Sequence, residues 1–419
     1  MKNIRTHIRL YALLIGSPLL VLWICGCGKR TEESPANDPP DAPRSLSDQS
    51  LAPYRTQLLE LAFQTATAIP VNPHIKDRCR TQEAVAGACL KLDQPQRALG
   101  YIEQIQDWRR GLGYADLAFY AARLGVFEES RHYLQSAAQI AGSEDIEKWR
   151  TDQIKARIAQ TYAWMGDKEQ AEAMEIGLET FASGKMAEVQ SMRGEPGSFD
   201  DQMAALDRYI GTGQFDAIQN ALGVYSILLD RYYTEPARRQ KLDDKIKALL
   251  PALPAVPRVN YFLELGDTAL RHADSARAME FHALARELLS AAQWRPEHRA
   301  ALTAKLAVLR FRAGDPQTAK AERDETLVFY DANRYLIADI YRATALRKVA
   351  ESYQAMGDTP GAISLYKRAV EEGVENPNSR PRAEDMSAIC VSMAMNGVEP
   401  DAELWKRLRQ IFDGLGAPW

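Results

Sequence analysis

The sequence predicts an all-α protein, an α-solenoid of antiparallel helix pairs with irregular repeats. Three observations carry this. Ala, Leu, Arg, Glu and Gln, which hold helices well, are plentiful. Long alternating runs of Val, Ile and Thr, the mark of half-buried strands, are missing. A short turn pattern with apolar and small residues at helical spacing on both sides recurs about every 40 residues. The chain also has 46% hydrophobic residues, enough for a packed core over 419 residues. Its net charge of −4 argues against nucleic acid, because binders of nucleic acid normally carry a basic surplus.

The first element is a targeting segment. Lys2, Arg5 and Arg9 make a positive start, and Leu10 to Ile24 is an apolar run broken by Gly16 and Pro18. This is the layout of a secretory signal. The run is shorter than the ~20 residues that span a bilayer comfortably. Ile24-Cys25-Gly26-Cys27 resembles a bacterial lipobox, with an aliphatic residue three before the acceptor and a small one just before it. The resemblance implies a signal peptide over 1–26, cleavage after Gly26 and lipidation of Cys27. Cys25 is a poorer acceptor, since Trp23 and Ile24 precede it. Gly28 rather than Asp follows Cys27, which by the usual sorting rule points to the outer membrane. An uncleaved signal anchor and a plain secretory peptide are the alternatives.

Residues 27–53 follow as a tether. Glu32-Glu33-Ser34-Pro35 and Asp38-Pro39-Pro40-Asp41 carry no apolar period, so the segment is expected to be disordered.

The helical body divides into two expected lobes, 54–250 and 258–419. Between them Pro251, Pro254 and Pro257 stand three apart, a spacing that reads as a stiff linker over 251–257. A second break is the loop composition of 192–198, Met-Arg-Gly-Glu-Pro-Gly-Ser.

The repeat is clearest in Ala345 to Val370. Val349, Ala350 and Tyr353 precede Gly357, and Ala362, Tyr366 and Ala369 follow it. Small residues at these places let two helix backbones approach closely. Gly357 tolerates a positive φ, and Asp358 suits the cap of the next helix. Comparable turn anchors are Asp93, Gly125, Gly166, Gly213, Ala273, Gly314 and Gly397, with spacings of 32, 41, 47, 60, 41, 43 and 40 along the series.

These units resemble the tetratricopeptide repeat family. That family places a small residue seven before the turn Gly, an aromatic four before it, Ala five after, an aromatic nine after and Ala twelve after. Ala350, Tyr353, Gly357, Ala362, Tyr366 and Ala369 fit all six places. The unit around Ala273 fits through Phe262, Leu265, Gly266, Ala278 and Ala285. The resemblance implies a stack of helix pairs that binds protein or peptide in a groove. The family's period is about 34 residues, and only the first spacing here is near it. Longer two-helix repeats of the HEAT type and an irregular helical bundle are the alternative architectures.

Catalytic and cofactor signals are thin. Arg110-Gly111-Leu112-Gly113 holds a Gly-x-Gly, but no strand precedes it, so no nucleotide cofactor is expected. Cys79 and Cys89 lie about 15 Å apart on a helix, too far to bridge. With Cys390 they read as small buried hydrophobes. His272, Glu280, His282, Glu297 and His298 gather in sequence without metal-ligand spacing. No metal, cofactor, catalytic residue or small-molecule substrate is expected.

The candidate binding residues are those that the repeat register turns toward the groove. Trp164 lies two before an anchor, as do Lys91, Arg123, Arg271 and Arg312, and Arg347 faces the same way by the family's geometry. A basic streak of this kind suits an acidic segment or a chain carboxylate. The functional expectation is a membrane-anchored protein–protein interaction scaffold or adaptor outside the cytoplasm of a bacterium, on the cell membrane or outer membrane. A structural component of envelope assembly is the first alternative, and a periplasmic helical enzyme the second.

Overall fold

A computed structural model describes residues 46–178, 199–210 and 215–419. The signal peptide, Cys27, the tether up to residue 45, the 192–198 loop and Gly213 lie outside the described residues.

Among the described residues the chain is helical, with no strand. The helices are α1 (Pro53–Ala68), α2 (Val71–Lys91), α3 (Pro95–Ile102), α4 (Arg109–Arg123), α5 (Phe127–Ala141) and α6 (Lys148–Met165). Next come α7 (Lys168–Glu175), α8 (Phe199–Ile210), α9 (Phe215–Arg231), α10 (Pro236–Leu249), α11 (Ala255–Arg271) and α12 (Ser275–Ala291). The last six are α13 (Pro296–Arg312), α14 (Pro316–Asn333), α15 (Asp339–Ala355), α16 (Thr359–Val374), α17 (Ser379–Asn396) and α18 (Ala402–Asp413).

Seven of the turns between consecutive helices share one chemical solution. The anchor adopts a left-handed backbone at Asp93, Gly125, Gly166, Ala273, Gly314, Gly357 and Gly397. At Gly357, whose φ is 81°, the Asp358 N–H donates to the Tyr353 carbonyl at 3.0 Å and the Gly357 N–H to Gln354 at 3.0 Å. This pair of bonds satisfies carbonyls that the helix end would leave bare. Asp358 then caps α16 by accepting from the Gly361 N–H at 3.0 Å. Asp167, Asp274 and Asp315 cap α7, α12 and α14 in the same way. A left-handed residue followed by Asp therefore both stops one helix and starts the next.

Close approach of paired and stacked helices relies on small residues. Ala118, Ala121, Ala269, Ala278, Ala350, Ala362 and Ala369 are all buried. A side chain on Gly266 of α11 would stand 2.6 Å from Leu309 Cδ2 of α13, so any larger residue there would displace Leu309.

The pairs are α2 with α3, α4 with α5, α6 with α7, α9 with α10, α11 with α12, α13 with α14 and α15 with α16. Within 71–165 and within 215–355 the first helices of successive pairs also touch one another. The end of the array departs from this scheme. The helix that pairs most extensively with α17 is α1, from the other end of the chain, while α18 contacts α16. α17 also packs against α2. Leu58, Leu59 and Ala62 of α1 thus share one apolar cluster with Ile389, Cys390 and Met393 of α17.

This closure corrects the two-lobe expectation. One large cluster draws on residues 46–158 and 304–411 together, and the other runs from 199 to 309. Neither parts at 251–257, and Pro43–Trp419 form one compact unit. The three prolines are absorbed at a helix start. Pro251 sits in a 3-10 turn, Pro254 precedes α11 and Pro257 lies in its first turn, where a helix has no use for the missing N–H. Leu250 and Leu253 are buried there.

The described end of the expected tether is also docked. Leu46 is buried, and its carbonyl accepts from Gln96 Nε2 at 2.9 Å. Asp48 Oδ1 accepts from the Gln96 N–H at 2.7 Å, so it supplies the start of α3 with a partner that its own sequence lacks. Polar composition marked 46–52 as tether, but the bare N–H groups of α3 and one leucine hold it down.

Candidate partner-binding face

The first helices of the pairs lie side by side, so their outward residues make one continuous face on each described stretch. Polar links join several neighbouring helices of this layer. Arg109 of α4 reaches Glu83 of α2 at 3.2 Å, and Arg157 of α6 reaches Asp116 of α4 at 2.6 Å. Arg271 of α11 meets Asp230 of α9 at 3.3 Å, and Arg312 of α13 meets Asp267 of α11 at 2.5 Å. Lys305 of α13 donates to Asn260 of α11 at 2.9 Å. Ser392 of α17 donates to Glu351 of α15 at 2.7 Å. The links continue across the closure, where Arg80 of α2 holds Glu384 of α17 at 2.9 Å.

Water reaches this face, yet protein surrounds it. The side chains of Glu83, Asp116, Asp267 and Glu351 keep exposures of 28%, 32%, 30% and 22%. Burial nevertheless pushes the carboxyls of Asp116 and Asp267 up against the pull of Arg157 and Arg312. Burial takes Glu83 up to about 7 in spite of Arg109, and Asp385 of α17 up to about 7 in spite of Arg347. Glu351 goes the other way. Burial would raise it, but Lys348 and Arg347 outweigh burial and hold it down to about 2. Lys348 touches Glu351 at 2.7 Å and Arg347 at 2.9 Å, both from the same helix.

The residues singled out from the sequence are distributed as follows. Arg123 is exposed at the end of α4. Trp164 is half-buried, with its ring edge-on to Phe119 of α4 at 5.8 Å. Arg271, Arg312 and Arg347 each face a carboxylate, Arg271 and Arg312 as rungs to the neighbouring helix and Arg347 within its own helix. The structure brings Arg347 and Lys348 together on Glu351. Asp230, Asp267, Lys305, Lys348 and Glu351 were missed by the sequence reading. A signal for the acidic set existed, because Asp267 and Glu351 each stand six before an anchor, at Ala273 and Gly357.

Among the described residues no group of three or more His, Cys, Asp or Glu could hold a metal. His272 stacks on Tyr233 at 4.2 Å and touches Asp230 at 3.0 Å. His282 is buried beside Glu322, Arg286 and Arg310. Cys79, Cys89 and Cys390 are free and buried, and burial pushes the thiols of Cys89 and Cys390 up to about 12. Among the described residues no helix is long and apolar enough to cross a membrane.

No protein-family model matches the chain, and no curated protein matches it. One solved structure that it is similar to is a circular tandem repeat protein with novel repeat topology and enhanced subunit contact surfaces. The identity is 12% and the TM-score 0.30, over 86% of this chain and 94% of that one.

Proposed function

We propose that this chain is a lipid-anchored interaction scaffold on the extracytoplasmic side of a bacterial membrane, built of tetratricopeptide-like repeats, and that the face of its first helices binds a protein partner. The observation that carries the reading is the continuity of that face. Successive first helices present charged side chains in register and keep them partly wetted, which is what a surface for an extended partner needs. The all-helical repeat architecture is compatible with such a scaffold, although a fold by itself does not assign a task. Anchorage rests on the sequence around Cys27 alone. Binding is favoured over catalysis because the carboxylates of the face are engaged by cations of neighbouring helices.

The test is a crosslinking pulldown from membranes, with Cys27→Ala as the control. A partner recovered with the native chain, together with palmitate incorporation that the substitution abolishes, supports the reading. Incorporation that survives Cys27→Ala removes the anchor. A mass that rises with concentration when no other protein is present would move the role to self-assembly in the envelope.

A further inference from the structure

We infer that the trough where the array closes, floored by α1 and walled by α3 and α18, binds a short neutral oligosaccharide. None of these three helices belongs to the first-helix layer, so the inference goes beyond the scaffold reading and does not rest on it.

The trough is a product of the closure. α1 packs on α17 and α2, while α3 packs on α2 and α18 contacts α16. α3 and α18 therefore stand on either side of α1 with a gap between them. Two adjoining cavities of about 610 and 450 Å³ occupy the gap, and Glu60, Gln64, Arg97 and Phe412 border both. The lining residues of α1 run from Thr56 to Ala68, about 18 Å of helix. These are the dimensions of an ordinary small-ligand cleft. Tyr101 ties the α3 wall to the floor. It donates to Glu60 at 2.8 Å and stacks on Phe63 with ring centroids 4.0 Å apart.

Planar polar side chains leave hydrogen-bonding capacity open along the trough. Gln64 donates to Glu60 and Gln104 to the Gly100 carbonyl, each at 2.8 Å. Both glutamines are exposed, and neither amide oxygen accepts a bond among the described residues. An amide offers a donor and an acceptor side by side, as adjacent sugar hydroxyls do. Glu60 accepts from Gln64 on one oxygen and from Tyr101 on the other, and each oxygen has a further lone pair. Phe412 stands half-buried where the two cavities meet, and the C–H face of a pyranose ring packs well on an aromatic ring.

The lining selects against other ligands. The guanidiniums of Arg97 and Arg409 meet the carboxylates of Asp48, Glu60 and Asp413. Asp48 is already taken by the N–H groups of Gln96 and Arg97, at 2.7 and 3.4 Å, and Glu60 faces Arg97 at 3.9 Å. Little charge is left to select an ion. An apolar helix is a poor fit, because Gln57, Glu60 and Gln64 run along the floor at helical spacing. Helical walls have spent their backbone N–H and C=O groups, so an extended peptide finds no strand edge to pair with. A neutral ligand rich in hydroxyls, with apolar ring faces, matches what remains.

The experiment uses the full chain in a sugar-free detergent with cellotriose and N-acetylated chitotriose, followed by saturation-transfer NMR and titration. Choline and a neutral glycine–serine octapeptide serve as rival ligands. Saturable binding of at least one sugar is expected, with the strongest transfer at its ring C–H protons. Gln64→Ala and Gln104→Ala are each expected to weaken it roughly fivefold, the loss of one hydrogen bond. Both residues are exposed, and thermal unfolding of each variant separates a lost site from a lost fold. Glu287→Gln on α12, outside the trough, leaves binding unchanged. Binding of neither sugar, native affinity in both glutamine variants, or binding of choline or the peptide in place of the sugars overturns the proposal.

Discussion

Arg80 of α2 holds Glu384 of α17 through a 2.9 Å ion pair, although 304 residues separate them. That pair marks the seam where the array returns to its own beginning. Magnitudes show that it does not hold the seam shut. Arg80 is 59% exposed, and exposed ion pairs contribute about 0–1 kcal/mol. The apolar joint of Leu58, Leu59 and Ala62 with α17 is fully buried and outweighs it.

Leu59→Ala is therefore expected to cost about 2–5 kcal/mol in urea unfolding, and Glu384→Gln less than about 1 kcal/mol. Hydrogen exchange should then rise in α17 as well as α1 in the Leu59 variant. Faster exchange confined to α1 would contradict the joint.

The turn anchors predict opposite effects from opposite substitutions. Ala273 has φ 57°, a conformation that costs a residue with a Cβ roughly 1–2 kcal/mol. Ala273→Gly relieves this against a glycine entropy cost of about 0.5–1 kcal/mol, so a net gain of about 0.5–1 kcal/mol is expected. Gly357 has open space around it but φ 81°, so Gly357→Ala loses about 1 kcal/mol through the backbone alone. Thermal unfolding of the two variants checks both signs.

Asp385 links stability to pH on the neutral side. Burial raises its carboxyl to about 7, against attraction from Arg347 and with repulsion from Glu384 and Asp339. In the unfolded chain it titrates near ~3.9. Between these values the native state holds the extra proton, so stability falls as pH rises from about 4 to about 7. Asp385→Asn should raise the Tm at pH 8 and change it little at pH 4. A Tm gain of equal size at both pH values would rule out the linkage.

His282 acts on the acid side. Burial, with Arg310 and Arg286 nearby, lowers it to about 4, so the native state keeps it neutral. The unfolded chain takes up a proton near ~6.5. Stability is therefore lost as pH falls from about 6.5 toward 4, by up to about 1.4 kcal/mol per pH unit. His282→Phe should flatten that part of the stability curve. An unchanged slope between those pH values would exclude His282 as the cause.

The sequence by itself determined the helix-pair unit and its turns. These depend on local chemistry, namely a residue that accepts positive φ, an Asp that caps the next helix, and small residues at helical spacing. Asp93 and Ala273 could be placed without glycine because the flanking pattern was intact. Only the tertiary structure decided three other matters. It paired α1 with α17, because apolar faces choose partners by shape over distances that periodicity does not encode. It turned the three prolines of 251–257 into the start of α11, because composition does not distinguish a proline that breaks a helix from one that begins it. It also set Asp230 and Asp267 against Arg271 and Arg312. The charge that reaches each of them across a helix boundary depends on how the pairs stack.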